Sequence, residues 1–338
     1  MLFSKSEFTN IFTMQHVYWG FIGCGDVTEV KSGPAFSKIS DATVVACMRR
    51  NGAMARDYAR RHGIALWYDD VKDLLANPTI NAVYIATPPS THCSLTLAAL
   101  DAGKAVYVEK PMAVNAQEAL QMAKHAAQKN IPLSVAHYRR MQPKFLKIKA
   151  LLNAAVIGKI QSVTLRYYRM LQTGEQLQVP KNKWRIDPAI AGGGLFHDIA
   201  PHQLDLLLYY FGAAKSVTGS QRNTQSLYDA ADYVSANMVF ENDIPFDGIW
   251  SFNAQPPEVT DNICIKGEKG EINFSAFEDQ LVKVETATSV ETLEFDHLPH
   301  VQQPMIAAVT AYFLGMGYNP CTATEGYTVM QWMDRITY

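Results

Sequence analysis

Short, nearly continuous apolar runs recur through the first third of the chain, separated by amphipathic intervals. Val17–Ile22, Ala42–Met48, Ala65–Tyr68, Ala82–Ala86 and Ala105–Val108 read as strands, with helices predicted over Ala53–His62, Val71–Leu75 and Cys93–Ala102 between them. Strands that are apolar on both faces and alternate with helices predict a parallel sheet covered on each side. After a helix at Pro143–Leu152 and a turn at Gly158-Lys159, the period changes to two. Alternating stretches follow at Val163–Arg169, Tyr233–Phe240, Phe246–Phe252, Asn262–Lys266, Glu271–Phe274 and Leu281–Glu285. Alternation with turn-rich boundaries predicts an open, mostly antiparallel sheet. The expected fold class is α/β, with a parallel-sheet domain at residues 17–135, an α+β domain at 136–338 and an N-terminal extension at 1–16.

Ligands of open parallel sheets bind beyond the carboxyl ends of the strands. Those ends carry Gly23-Cys24-Gly25-Asp26-Val27, then Arg49-Arg50, then Thr87-Pro88-Pro89 with His92 close behind, then Glu109-Lys110-Pro111. The first group is a Rossmann-type dinucleotide turn, with Thr28 in the place of the third glycine. One glycine permits the tight turn and the next lets backbone approach a pyrophosphate, which the following helix N-terminus favours. Further on, Gly192-Gly193-Gly194 precedes Asp198 and His202. At i and i+4 on a helix these two side chains share a face, where a carboxylate can orient an imidazole able to exchange protons near neutral pH.

Composition narrows the function classes. The chain has 338 residues, with 30 basic and 32 acidic side chains and a formal charge of −2, so nothing draws it generally to nucleic acid or acidic membranes. Cys24, Cys47, Cys93, Cys264 and Cys321 are scattered without a CxxC pair, which argues for reduced thiols and against a zinc site or disulfide framework. No apolar run reaches membrane-spanning length, and the polar start lacks a signal-peptide core. A cytoplasmic enzyme without metal is expected.

The glycine turn, the Thr-Pro-Pro loop with His92, Glu109-Lys110-Pro111, and the glycine turn before Asp198 and His202 together resemble the Gfo/Idh/MocA oxidoreductases, from about Val17 to the C-terminus. The resemblance implies an N-terminal Rossmann domain for NAD or NADP and a C-terminal domain contacting a sugar, inositol or related polyol. It implies that Lys110 hydrogen-bonds the reacting oxygen, that His202 exchanges its proton and that Asp198 supports the relay. Trp184-Arg185 resembles a family pair that reaches cofactor or substrate from the second domain. The segment from Ala136 to Pro143 resembles the family's domain junction, with His137 near the nicotinamide and Arg140 bracing structure. His197 stands where the family usually has an apolar residue, and Ala200 and Pro201 where it often has Gly and Ser.

The leading reading is an NAD(P)-dependent sugar or polyol oxidoreductase. An NAD-dependent glycoside hydrolase of the same fold and a non-catalytic cofactor-sensing regulator are alternatives. The second strand runs into Arg49-Arg50-Asn51 with no acidic residue, so NADP is expected over NAD: guanidinium groups suit a ribose 2′-phosphate, which an acid would repel. A homodimer or homotetramer is expected, with Trp250 and Phe252 of the second sheet offering contact to another subunit.

Overall fold

The computed structural model describes residues 14–338, so most of the expected extension lies outside the described residues. Strands β1 (Val17–Ile22), β2 (Ala42–Met48), β3 (Leu66–Tyr68), β4 (Ala82–Ile85), β5 (Ala105–Val108) and β6 (Leu133–Val135) form a parallel sheet in the order β3-β2-β1-β4-β5-β6. β4 and β5 are buried at every position, as strands sandwiched between helices must be. Helices α1 (Gly52–His62), α2 (Val71–Ala76), α3 (His92–Asp101) and α4 (Ala116–Lys129) complete this unit. Asn51 caps α1 by accepting the Met54 amide, and Asn115 caps α4 by accepting that of Glu118.

The helix expected behind the glycine turn departs from the pattern. Val27–Lys31 is a π-helical turn and Gly33–Phe36 a single α-turn. Gly33 and Pro34 explain the break. A Cβ at Gly33 would lie 2.0 Å from the Thr28 carbonyl oxygen, which accepts the Tyr58 hydroxyl at 3.0 Å, and Pro34 has no amide to donate.

Helix α5 (Pro143–Asn153) leads to the second sheet: β7 (Ile160–Met170), β8 (Ala214–Arg222), β9 (Tyr233–Phe240), β10 (Pro245–Ala254), β11 (Thr260–Gly267), β12 (Gly270–Phe274), β13 (Leu281–Thr286) and β14 (Val290–Glu294). Their order is β14-β13-β12-β11-β7-β10-β9-β8, antiparallel throughout except for the central β7–β10 pair. The inner face packs on α6 (Gly194–Phe211). Trp250 and Phe252 belong to this inner face: Trp250 is wholly buried and donates its indole N–H to Gln203 at 2.6 Å, while Phe252 meets the Tyr167 ring. This corrects the expectation that they face another subunit; the alternation places the polar positions outward.

Helices α7 (Gln303–Phe313) and α8 (Ala323–Thr337) return to the first sheet. Phe313 lies 5.6 Å from Trp19 of β1, and a Cβ at Gly326 would touch Met112 and Val135 at 2.8 Å. Between the sheets, buried Arg140 donates to Asp205 through two nitrogens, at 3.1 and 2.5 Å, and to Glu325 at 2.8 Å. Burial pushes the Asp205 carboxyl up to about 6 against the pull of Arg140. Removing one member of a buried pair strands the other's charge. Arg140→Met is therefore expected to lower unfolding free energy by about 3–5 kcal/mol, read from urea denaturation midpoints; a shift under about 1 kcal/mol would show the pair to be dispensable.

Candidate active site

The turn after β1 is shaped for close approach by a ligand. Gly23 has φ +91°, and a Cβ there would strike Thr87 Cγ2 at 2.7 Å and the Ala86 carbonyl carbon at 3.0 Å, so only glycine fits between the first and fourth strand ends. Gly25 faces open space, with no atom within 4 Å of where a Cβ would sit. Thr28 closes the turn by donating its hydroxyl to the Gly25 carbonyl at 2.8 Å. Arg49 Nη1 donates to the Cys24 carbonyl at 3.0 Å, which anchors a guanidinium beside the turn; Asp26 and Arg50 are exposed at its rim and Val27 is half-buried. Glycine where backbone must approach, room at Gly25 and a cation at the second strand end fit a dinucleotide.

Across the strand ends, Lys110 follows β5 and reaches into the first turn of α6. Its Nζ donates to the Asp198 carbonyl at 2.8 Å and to Asp198 Oδ1 at 2.9 Å, while Arg185 Nε donates to Oδ2 at 3.1 Å. The Arg185 guanidinium lies over the Trp184 ring, 4.4 Å from its centroid. Burial raises the Asp198 carboxyl, but the charges of Lys110 and Arg185 outweigh it and hold the group below the usual aspartate range. Asp198 thus stays ionised between two cations.

His202 lies one turn further along α6 and is buried, with Tyr138 and Phe277 edge-on to its ring at 5.1 and 5.6 Å. The expected pairing with Asp198 does not form. Both carboxylate oxygens are turned to Lys110 and Arg185, and His202 Nδ1 has no hydrogen-bond partner among the described residues. Two cations outcompete a neutral imidazole for one carboxylate. Burial, with the charges of Lys110, Arg139, His137 and Lys31, holds His202 well below the usual histidine range, so it is a neutral imidazole at pH 7.

Other expected site residues are buried. Glu109 is buried and accepts the Tyr84 hydroxyl at 2.5 Å, the Gln302 amide at 2.7 Å and the Lys110 backbone N–H at 3.2 Å; it fixes the backbone under Lys110 and makes no ion pair with its side chain. His92, expected to meet the cofactor, is wholly buried, with its nitrogens 2.8 Å from the Thr87 carbonyl oxygen and 3.0 Å from that of Pro111. It ties the Thr87-Pro88-Pro89 loop to the segment after Lys110. His137 is buried, with Nδ1 3.9 Å from Asp205. His197 lines a cavity of about 300 Å³ with Gly192, Gly193 and Asn223, separate from Lys110, Asp198 and His202; burial pushes it down to about 4. Sequence reasoning passed over Arg139, Tyr138 and Phe277, which surround His202. Phe277 sits in a loop whose spacing carries no motif, whereas Arg139 stood in view beside Arg140.

Among the described residues, no group of histidine, cysteine and acidic side chains could hold a metal ion, and no helix is long and apolar enough to cross a membrane. The profile of the oxidoreductase family with an NAD-binding Rossmann fold matches residues 17–137, and the GFO/IDH/MocA C-terminal domain matches residues 145–273. The chain is 44% identical to Oxidoreductase P35 of Formosa agariphila over 319 residues, covering 94% of this chain and 97% of that protein. It is 28% identical to scyllo-inositol 2-dehydrogenase (NADP(+)) of Bacillus subtilis over 215 residues, 63% of this chain and 57% of that one. In fold it is similar to levoglucosan dehydrogenase in complex with NADH and levoglucosan, with a TM-score of 0.85 at 23% identity, covering 95% of this chain and 96% of that chain. Fold, turn and site thus define an oxidoreductase that uses a nicotinamide dinucleotide. The chain belongs to the GFO/IDH/MocA family.

Proposed function

We propose that the protein transfers hydride between NADP and a hydroxyl or carbonyl carbon of a sugar, inositol or related polyol. The observation that carries this reading is the amine of Lys110, oriented by Asp198, whose other oxygen accepts from Arg185, near the neutral imidazole of His202. The nicotinamide, when bound, supplies the hydride acceptor or donor. Gly23, Cys24, Gly25, Asp26 and Val27 with Thr87, Pro88 and Pro89 hold the dinucleotide, and His92 and Glu109 keep that cradle in register. Lys110 hydrogen-bonds the reacting oxygen and stabilises charge on it, and His202 takes or returns its proton. Asp198 positions the Lys110 amine; Trp184, Arg185 and His137 border the same space. Names of relatives that act on inositol and levoglucosan support the substrate class, and the outer, polar face of the second sheet is the surface left for a homo-oligomer. Profiling sugars and polyols with both cofactors, by absorbance of the reduced nicotinamide, tests the reading; cleavage of a nitrophenyl glycoside without net cofactor reduction would replace it with the hydrolase.

Preference for NADP rests on Arg49, held beside the glycine turn by the Cys24 carbonyl, and on Arg50 exposed next to it. A guanidinium at the second strand end grips a 2′-phosphate where an acid would repel it. Arg49→Ala and Arg50→Ala are expected to weaken NADP about tenfold or more and NAD much less, since a hydrogen bond to a charged group contributes about 1.5–3 kcal/mol. Tighter wild-type binding of NAD than of NADP, or equal losses for both cofactors in both variants, would overturn the preference.

A further inference from the structure

Charge around the reacting centre is uneven. Asp198 is bracketed by two cations, Lys110 and Arg185. Lys31 and Arg139 add two more, close enough to act on His202. The chain as a whole carries a formal charge of −2, so this excess is local. The neighbouring carboxylates are committed elsewhere. Glu109 accepts from Tyr84 and Gln302, Asp205 is held by Arg140, and Asp261 holds its loop through Oδ2, which accepts from Ser275 Oγ and the Phe277 amide, both at 2.6 Å, while its Oδ1 is buried without a hydrogen-bond partner among the described residues.

Phosphates of a dinucleotide account for some of these cations. Lys31 and Arg49 lie by the glycine turn at the end of β1. Arg139 follows β6, three strands away in the order β1-β4-β5-β6, roughly 14 Å across at about 4.8 Å per strand. Its guanidinium is stacked on the Phe277 ring, 4.2 Å from the centroid, and Phe277 in turn abuts His202. Arg139 donates one N–H to the Ala276 carbonyl and forms no ion pair with a carboxylate among the described residues. Bracing that one carbonyl employs one of the five guanidinium donors. A half-buried arginine lying over an aromatic ring, with no carboxylate partner among the described residues, has donors left to receive one.

We propose, building on the oxidoreductase reading above, that the substrate is a sugar acid: its carboxylate pairs with Arg139 while a hydroxyl or carbonyl carbon is presented to Lys110 and His202. Arg139 is then the specificity-determining residue, and neutral sugars react without that anchor.

Matched acid and neutral probes test this with the full chain and NADP or NADPH: glucuronate against glucose, galacturonate against galactose, and aldonates against alditols. The wild type is expected to favour the acid member by at least tenfold in kcat/KM, with the preference shrinking as salt rises. In Arg139→Gln the acid's KM is expected to rise at least tenfold more than the neutral partner's, while Arg139→Lys recovers part of the preference. A structural role in bracing the Ala276 loop would instead lower kcat/KM for acid and neutral members alike, which would overturn the sugar-acid proposal. So would wild-type turnover of neutral members equal to or better than the acids, and that outcome would leave the oxidoreductase reading standing. Turnover of no member of the panel with either cofactor would overturn the sugar-acid proposal, and inert inositols as well would overturn the oxidoreductase reading with it.

Discussion

Replacing Lys110 or His202 with alanine is expected to lower turnover by about 10²–10⁴ while leaving cofactor dissociation constants close to those of the wild type. Loss of Lys110 removes the amine that the Asp198 carbonyl and carboxylate together aim. Loss of His202 removes a buried imidazole already neutral at pH 7 and so ready to accept a proton. The two variants differ in a useful way. Lys110→Ala releases Asp198 to Arg185 alone, so its loss includes a reorganised carboxylate, whereas His202→Ala leaves that carboxylate in place. Asp198→Asn is expected to lose less than Lys110→Ala, because it weakens the aim of Lys110 without removing the amine. Burst-free steady-state kinetics on the identified substrate check all three. Near-wild-type kcat in either alanine variant would remove that residue from the mechanism, and retained cofactor binding with no turnover by the wild type on any substrate would favour the sensing regulator.

Five strands of the parallel sheet and its ligand edge were legible because apolar runs end in groups that cannot be core: Gly23-Cys24-Gly25 after β1, Arg49-Arg50 after β2, Lys110 after β5. The three-residue edge strand β6, with Ser134 at its centre, was not, and neither were the edges of the second sheet. β8 and β14 are the edges of the second sheet, exposed at most positions, and their sequences, Ala214–Arg222 and Val290–Glu294, show no apolar alternation. Helix α4 was not predicted, although its buried positions Ala119, Met122, Ala123 and Ala126 recur at helical spacing; the signal was present and went unread. At the site, spacing correctly put Asp198 and His202 on one helix, but it is blind to competition from elsewhere in the chain. Lys110 and Arg185, 88 and 13 residues away from Asp198, decide where the carboxylate points. Long-range ion pairs carry no local signal, and for the same reason the stack of Arg139 on Phe277 could not be read from either segment.

Acid should unfold this protein earlier than its carboxylates alone would dictate. Four histidines, His92, His137, His197 and His202, are buried, and burial depresses each, His197 to about 4. Nearby cations deepen the effect at His137, through Arg140 and Lys110, and at His202, through Lys110 and Arg139. The sign follows from proton uptake. Between the unfolded histidine value, 6.5, and the depressed folded values, the unfolded chain binds more protons than the native one, so stability rises with pH through that window. It is fully present above 6.5 and is lost as pH falls toward about 4. Each histidine contributes a slope of up to about 1.4 kcal/mol per pH unit. Asp205 opposes one of them, because its raised value makes the native state the better proton acceptor between 3.8 and about 6. Carboxylates held low, such as Asp198 and Glu325, add their losses only below the ordinary carboxylate range. Urea denaturation between pH 7 and pH 4.5 is therefore expected to show midpoints falling steeply from about pH 6.5 downward, with the net uptake of more than one proton on unfolding. Replacing His197 with asparagine, which cannot titrate there, is expected to flatten the profile by about one proton without touching Lys110, Asp198 or His202. A midpoint independent of pH from 6.5 to 5 would mean that these imidazoles find water or partners in the native state, and would also undercut the neutral His202 on which the proton-transfer role depends.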